Sequence, residues 1–291
     1  MSENIQDDME WDDYNPEVQP DPEDDRPGPG DDPAVQNLEP KLLALFDERP
    51  DAVFYESQLA VLFERDFFHW VTVRALRELR EGGKIGTSLE ELMPNTPIRF
   101  YFNRRNRYWK RKAEEVRRLV LLFSDQAFTR SLGVQGELLV DAGLPRVGFQ
   151  PMDDTVQSWE GLTWSETNHD LDRVFRRDGI NYGAEIKNRL GYIPKDEFEI
   201  KLRMCAALNL VPLFIARMMP RTYIEEVRQA GGFSLIMKYQ FYPLSHRALA
   251  VSVRNELGLP VDCPTRLEDS TLQRFLTWHE GKLRRIQRTT S

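Results

Sequence analysis

The chain has 291 residues and is 41% hydrophobic, which is enough for one large domain or two ordinary domains with a substantial core. It has no run of about 18 apolar residues and no apolar stretch near its start, so neither a membrane span nor a secretory signal is indicated. The only two cysteines are Cys205 and Cys263, too few for a disulfide framework and without the spacing of a zinc site. We therefore expect a cytoplasmic protein in which Cys205 is a small core residue.

The net charge of −8 divides unevenly along the chain. Residues 1–40 contain 14 acidic residues and one arginine, a charge of −13, and the remainder holds 33 acids and 38 bases, a charge of +5. A basic body beside an acidic segment is common among proteins that bind nucleic acid, although a solubilising tail gives the same balance. Residues 1–33 are rich in Asp, Glu, Pro and Gly, so we expect them to be disordered.

Residues 38–102 are predicted to form three short helices followed by a β-hairpin. The first helix has an apolar face around Leu42 and Phe46, Ser57 caps the second, and the third covers 67–80 and stops at a pair of glycines. Short strands are expected at 84–86 and 98–102. This order resembles a winged helix, a fold whose third helix can enter the DNA major groove, although many winged helices contact only protein.

The third predicted helix has an apolar stripe at helical spacing, which turns its arginines outward. The inward stripe is Phe68, Val71, Ala75 and Leu79, and the outward arginines are Arg74, Arg77 and Arg80. We expect Arg74 and Arg77 to contact DNA if the winged-helix resemblance holds.

A basic stretch at 104–112 holds six bases and the two aromatic residues Tyr108 and Trp109. Its basic side chains could neutralise phosphates, and its aromatic rings could stack on exposed bases. The alternative is a solvated linker that opens the next helix. We favour phosphate contact, by Arg104, Arg105, Arg107 and Lys110.

From residue 113 onward, helices and strands alternate. Helices are predicted at 124–142, 195–208 and 266–288, and strands at 146–152, 170–176, 182–188, 211–217 and 233–242. The resulting order, αβββαβ, predicts an α/β architecture with one mixed sheet. We therefore expect a disordered tail at 1–33, a DNA-binding domain at 34–102, a basic linker and helix at 103–123, and a second domain at 124–291.

One pattern in this second domain points to chemistry: Asp172, then twelve residues, then Glu185-Ile186-Lys187. Four of the nine lysines have an acidic residue two places earlier, so the letters alone are weak. Three of these pairs lie on predicted helices, where residues i and i+2 diverge. Only Glu185 and Lys187 lie on a predicted strand, where i and i+2 share a face. A hairpin turn through 177–179 would bring Asp172 beside them, with Ala184 and Ile186 facing the core.

An acid followed at this distance by Glu-x-Lys resembles the PD-(D/E)XK nuclease superfamily, over roughly residues 113–245. The resemblance implies a restriction-endonuclease-like fold and a metal-dependent DNA endonuclease of the restriction, defence or repair type. Mg²⁺ or Mn²⁺ would be held by Asp172, Glu185 and the carbonyl of Ile186, hard oxygens that suit these ions. Lys187 would orient or help deprotonate the attacking water. No proline precedes Asp172, which departs from the family's name pattern.

Further residues are expected around this core site. Members of the superfamily often supply another acid from the first helix, and Glu137 is the best match, with Asp141 one turn further on. Asp170 shares the strand face of Asp172, and Asn188 could orient a neighbouring group. A homodimer is expected because cutting both strands of a duplex requires two sites.

Two alternatives remain open. Asp172 and Glu185 could be exposed strand residues paired with arginines, with no metal. The chain could also be a non-enzymatic DNA-binding regulator with a degenerate nuclease-like domain.

Overall fold

The computed structural model of the chain describes residues 32–289, with side chains through residue 284. It is a mixed α/β protein that divides into two compact units, one ending at Leu121 and the other beginning at Leu122. The segment predicted to be disordered lies outside the described residues except for its last two positions. No helix in 32–289 is long and apolar enough to cross a membrane.

The first unit combines helices with a small antiparallel sheet of strand order β1-β3-β2. Its elements are α1 (Pro33–Glu48), β1 (Val53–Tyr55), α2 (Glu56–Phe63), α3 (His69–Glu81), β2 (Gly86–Met93), β3 (Thr96–Phe102) and α4 (Trp109–Phe123), and the boundary between the units falls within the last turn of α4. Helix α1 begins earlier than expected because the Asp32 carboxylate accepts the Ala34 N–H at 2.8 Å, with Pro33 in the first turn. The three helices and the hairpin were predicted, whereas the three-residue strand β1 was not. The prediction that Ser57 caps α2 was wrong, because α2 begins at Glu56 and Ser57 lies inside it.

Helix α3 faces the core through Val71, Ala75 and Leu79, as its spacing predicts. The prediction for Phe68 was wrong: it precedes the helix and is 38% exposed. Arg77 is exposed, but Arg74 lies largely against the helix surface, where its Nε is 3.3 Å from Glu78 Oε1. Of the two arginines expected to meet DNA, Arg77 is therefore the more accessible.

Helix α4 begins at Trp109, inside the basic stretch, so this stretch is only partly a linker. The Trp109 ring stacks on Phe102, with centroids 4.6 Å apart and planes 7° from parallel. The ring of Trp109 is therefore used within the unit and does not offer a free face for base stacking on that side. Tyr108 is 78% exposed and remains the accessible aromatic residue of the stretch.

The second unit is built on a five-stranded sheet of order β10-β9-β8-β7-β4. The strands of the unit are β4 (Gln150–Val156), β5 (Ser158–Trp159), β6 (Leu162–Thr163), β7 (Leu171–Arg177), β8 (Ile180–Lys187), β9 (Val211–Ala216), β10 (Phe233–Ile236), β11 (Gln240–Phe241) and β12 (Val261–Asp262). The helices are α5 (Gln126–Gly143), α6 (Lys195–Ala207), α7 (Arg221–Gln229), α8 (Arg247–Ser252) and α9 (Asp269–Thr289). Strand β7 is antiparallel to β4 and β8, whereas β8, β9 and β10 are parallel.

Several boundaries in this unit differ from the sequence-based expectation. The strand expected at 146–152 begins later because Leu144–Val147 form a 3₁₀ turn ended by Gly148 at φ +84°. The strand expected at 233–242 is two short strands, β10 and β11, in different sheets. The β5–β6 hairpin, α7, α8 and β12 were not predicted, since short elements carry too few periodic positions to be recognised.

The central sheet is covered by helices on two faces. Ala184 and Ile186 of β8 share one core cluster with Leu139 and Val140 of α5. Phe198 of α6 packs with Phe214 and Ala216 of β9 in another cluster. Because side chains alternate along a strand, Glu185 and Lys187 lie on the opposite face of β8 from Ala184 and Ile186. This alternation places the charged pair on the α6 side of the sheet.

Candidate active site

The β7–β8 hairpin sets the register of the candidate site. Asp178 and Gly179 form its turn with φ of 49° and 74°, the positive values that a tight hairpin turn requires and that Asp-Gly tolerates well. The resulting register pairs Arg173 with Ala184, so the next positions outward are Asp172 and Glu185. The predicted hairpin through 177–179 is confirmed.

The two strands separate just beyond the Arg173–Ala184 pair, and Asp172 fills the opening. Its Oδ2 accepts the backbone N–H of Ile186 at 2.6 Å. The carboxylate therefore takes the place of a strand partner for an amide that the ladder no longer satisfies. Asp172 is half-buried, so this end of the site is less enclosed than the Glu185 end.

Glu185 lies at the base of the site and is 1% exposed. Its Oε1 is 2.7 Å from Lys187 Nζ, and its Oε2 is 2.8 Å from Lys201 Nζ. Both contacts are close ion pairs. A buried carboxylate is stable only with such compensation.

Lys187 bridges two carboxylates, because its Nζ is also 2.7 Å from Glu197 Oε1 at the start of α6. Burial by itself would lower the pKa of Lys187, but the nearby carboxylates, Glu185 first, outweigh it and raise that pKa. Burial would likewise raise the pKa of Glu197, yet Lys187 holds it below its usual range. Lys187 is therefore a fixed ammonium, which favours a role in stabilising charge over one in removing a proton.

Asp172 is the member of the group whose pKa is raised to near neutral. Burial, and next the charge of Glu185, raise its pKa from the ordinary value of 3.8 to about 7. The lysines at positions 187 and 201 and the Ile186 N–H act in the opposite direction but do not cancel the shift. With Asp172 ionised, the three carboxylates Asp172, Glu185 and Glu197 exceed the two lysines by one charge. These five groups then carry a net charge of −1, which one further positive charge would neutralise.

Glu137, the acid expected from helix α5, lies away from the candidate site. Glu137 Oε2 and Asp141 Oδ2 each lie 3.0 Å from an Arg173 nitrogen. Arg173 follows Asp172 on β7 and so points to the other face of the sheet, the α5 side. The structure brings Asp172, Glu185 and Lys187 together but does not bring Glu137 to them, so the expected fourth member is not met in this structure.

Asn188 has a structural position directly after the Glu-x-Lys sequence. Its Nδ2 donates to the carbonyls of Leu132 and Phe241 at 2.7 Å each, and its Oδ1 accepts the Phe241 N–H at 2.7 Å. These bonds join α5, the end of β8 and β11. Asn188 therefore holds the backbone around the site rather than a neighbouring catalytic group.

Two members of the group, Lys201 and Glu197, were not identified from the sequence. Both lie on α6, one turn apart at i and i+4, and Lys201 is 4% exposed. Glu199 and Lys201 form one of the three acid–lysine pairs on predicted helices, and their side chains diverge on α6. The missed signal was the position of Lys201 between Phe198 and Cys205 on the apolar face of the helix, where a lysine needs a buried partner.

The donor chemistry suits a hard divalent cation. Asp172 and Glu185 supply carboxylates and Ile186 a backbone carbonyl, which are ligands of the kind that Mg²⁺ and Mn²⁺ prefer. Among residues 32–289 no three Asp, Glu, His or Cys side chains are grouped to hold a metal. The protein would thus provide two carboxylates and a carbonyl, with water completing the shell, as is usual for Mg²⁺.

Comparisons with family models, with curated proteins and with solved structures found no match to this chain.

Proposed function

We propose that the chain is a metal-dependent DNA endonuclease of the PD-(D/E)XK type. The observation that carries the proposal is the convergence of Asp172, Glu185 and Lys187 where β7 and β8 separate, on one face of a mixed sheet. The letter pattern had four equivalent matches, and this one combines strand placement, a buried carboxylate and a second, half-buried carboxylate.

Each residue has a role that follows from its position. Asp172 and Glu185 would hold Mg²⁺ or Mn²⁺ with the Ile186 carbonyl. Burial, and next the charge of Glu185, raise the pKa of Asp172, and a bound cation would favour its ionised form. When bound, the metal lowers the pKa of a water ligand and neutralises charge on the scissile phosphate. Lys187, held as an ammonium by Glu185 and Glu197, would orient that water and stabilise the developing phosphate charge.

The first unit supports binding to duplex DNA. Its helices α1, α2 and α3 precede the β2–β3 hairpin, which is the order on which the winged-helix resemblance depends, and β1 is an additional short strand after α1. Arg77 on α3 is exposed, and so are the basic residues that follow β3, namely Arg104, Arg105, Arg107 and Lys110. We propose that they contact phosphates, whose neutralisation gives affinity that falls with salt. A homodimer would supply the two sites needed to cut both strands.

Cleavage of plasmid, branched and single-stranded DNA in Mg²⁺ tests the proposal. We expect cleavage of at least one substrate and a loss of about 100-fold or more in Lys187→Ala, which removes one charged group from the transition state. Lys195→Ala is the matched control, since Lys195 is an exposed lysine at the start of α6, the helix that carries Glu197. Failure to cut any substrate, or equal rates for Lys187→Ala and Lys195→Ala, would count against an enzyme.

A second candidate function is a DNA-binding regulator whose nuclease-like unit has no metal. The observation in its favour is that both Glu185 oxygens already contact lysine ammonium groups. Calorimetry with Mn²⁺ separates the two candidates. A site abolished by Asp172→Ala supports the enzyme, whereas tight duplex binding without any metal site supports the regulator.

A further inference from the structure

Lys201 lies deep in the candidate site. It extends from α6 toward the sheet, and its side chain is 5% exposed. Its Nζ lies 2.8 Å from Glu185 Oε2 and donates to the backbone carbonyl of Asp170. The Asp170 carboxylate is 3.9 Å away. The ammonium is thus surrounded by oxygens from β8 and from the residue before β7.

Lys201 contacts the same carboxylate, Glu185, that the proposed metal ion would bind. Glu185 has two oxygens, and Lys187 contacts one while Lys201 contacts the other. Lys187 is also tied to Glu197, which holds it from the opposite side. A cation that binds Glu185 must therefore compete with one of these two lysines. Lys187 has a second carboxylate, Glu197, at 2.7 Å, whereas the second carboxylate near Lys201, Asp170, is 3.9 Å away. Lys201 is therefore the less firmly held of the two.

We propose that Lys201 is a resident cation for Glu185, and that a divalent metal engages this carboxylate only when the Lys201 ammonium withdraws. The inference rests on the proposed metal site. It makes Lys201 a positioning residue, which holds the Glu185 carboxylate in place through the 2.8 Å contact before metal arrives.

Removing Lys201 should strengthen metal binding, because the metal no longer competes with a charge a few ångströms from the same oxygen. We would measure Mn²⁺ binding to the full chain by calorimetry for the wild type, Lys201→Met and Lys195→Met. Lys201→Met keeps most of the buried side-chain volume, and Lys195→Met removes an exposed lysine from the same helix. We expect at least tenfold tighter binding in Lys201→Met and no change in Lys195→Met.

The outcomes separate this inference from the proposed function. Binding to the wild type with equal or weaker binding to Lys201→Met overturns the inference and leaves the metal site standing. Binding only to Lys201→Met supports the inference and overturns a native metal enzyme. Failure of both to bind overturns both.

A measurement on the wild type covers the case in which Lys201→Met does not fold. Buried lysine ammonium groups exchange slowly enough to be followed by ¹⁵N NMR of the side chains. Mg²⁺ should shift or remove the Lys201 signal. A Lys201 signal that stays unchanged at saturating Mg²⁺, while the Ile186 amide shifts, would contradict the exchange.

Discussion

The Asp172→Asn substitution tests the electrostatics of the site without a metal. Asn keeps the size of the side chain and an oxygen that accepts the Ile186 N–H, but it cannot ionise. In the folded protein Asp172 has a pKa of about 7, above its ordinary value of 3.8. Its contribution to the free energy of unfolding is therefore fully present below pH 3.8 and is lost as the pH rises toward 7.

The magnitude follows from the width of that window. Two pH units separate pH 5 from the folded pKa, which corresponds to ~2.7 kcal/mol at 1.36 kcal/mol per unit. Because the Asp172 side chain is partly exposed, solvent screening reduces this figure, and we expect about 1–2 kcal/mol. The wild type should lose this stability between pH 5 and pH 8 relative to Asp172→Asn. For a unit of this size, that is a relative change of roughly 2–8 °C in Tm.

Thermal unfolding in EDTA at pH 5 and pH 8 measures the difference. Asp196→Asn is the control for loss of a carboxylate, since Asp196 is exposed at the start of α6. Asp172→Asn should gain on the wild type at pH 8, and Asp196→Asn should follow the wild type at both values. Parallel pH profiles for the wild type and Asp172→Asn would show that Asp172 titrates normally and would refute the reasoning.

Three further changes test the structure around the site. Asn188→Ala should cost about 2–4 kcal/mol of unfolding free energy in chemical denaturation, because it leaves buried backbone groups unpaired. Gly136→Ala should destabilise by about 1–3 kcal/mol in the same assay although Ala favours helices, since its Cβ would lie 2.7 Å from the Asn188 Cβ. Equal or greater stability in either variant would contradict the packing described. His279→Phe should cost about 1–3 kcal/mol, because the buried Tyr182 hydroxyl loses its 2.6 Å partner, and an unchanged Tm would show that this contact contributes nothing.

The elements that carry the site could be predicted because their patterns are strong. Strand β8 alternates core residues with Glu185 and Lys187, and the Asp-Gly turn fixes its partner strand. Ala184 and Ile186 face the core as expected, at 0% and 6% exposure, and Cys205 is a buried free thiol. In each case the periodicity of a single element determines the outcome.

The contacts between elements were harder to predict. Glu137 was assigned to the site from its place on the first helix, but the choice of face depends on how α5 packs across the sheet. Arg173, next to Asp172 and pointing the other way, takes Glu137 as its partner. Lys201 lies on a predicted helix, and its local sequence does not show that it meets Glu185. Which buried carboxylate a lysine meets depends on tertiary packing, and a sequence pattern does not contain that information.

The most direct test of the central claim is cleavage of an end-labelled duplex by the wild type and by Glu185→Gln, each in Mg²⁺ and in EDTA. Glu185→Gln is nearly isosteric and removes only the buried charge at the base of the site. We expect products from the wild type in Mg²⁺ alone, and a rate at least about 100-fold lower in Glu185→Gln. Cleavage that persists in EDTA, or that proceeds in Glu185→Gln at the wild-type rate, would contradict a metal-dependent nuclease built on Asp172, Glu185 and Lys187.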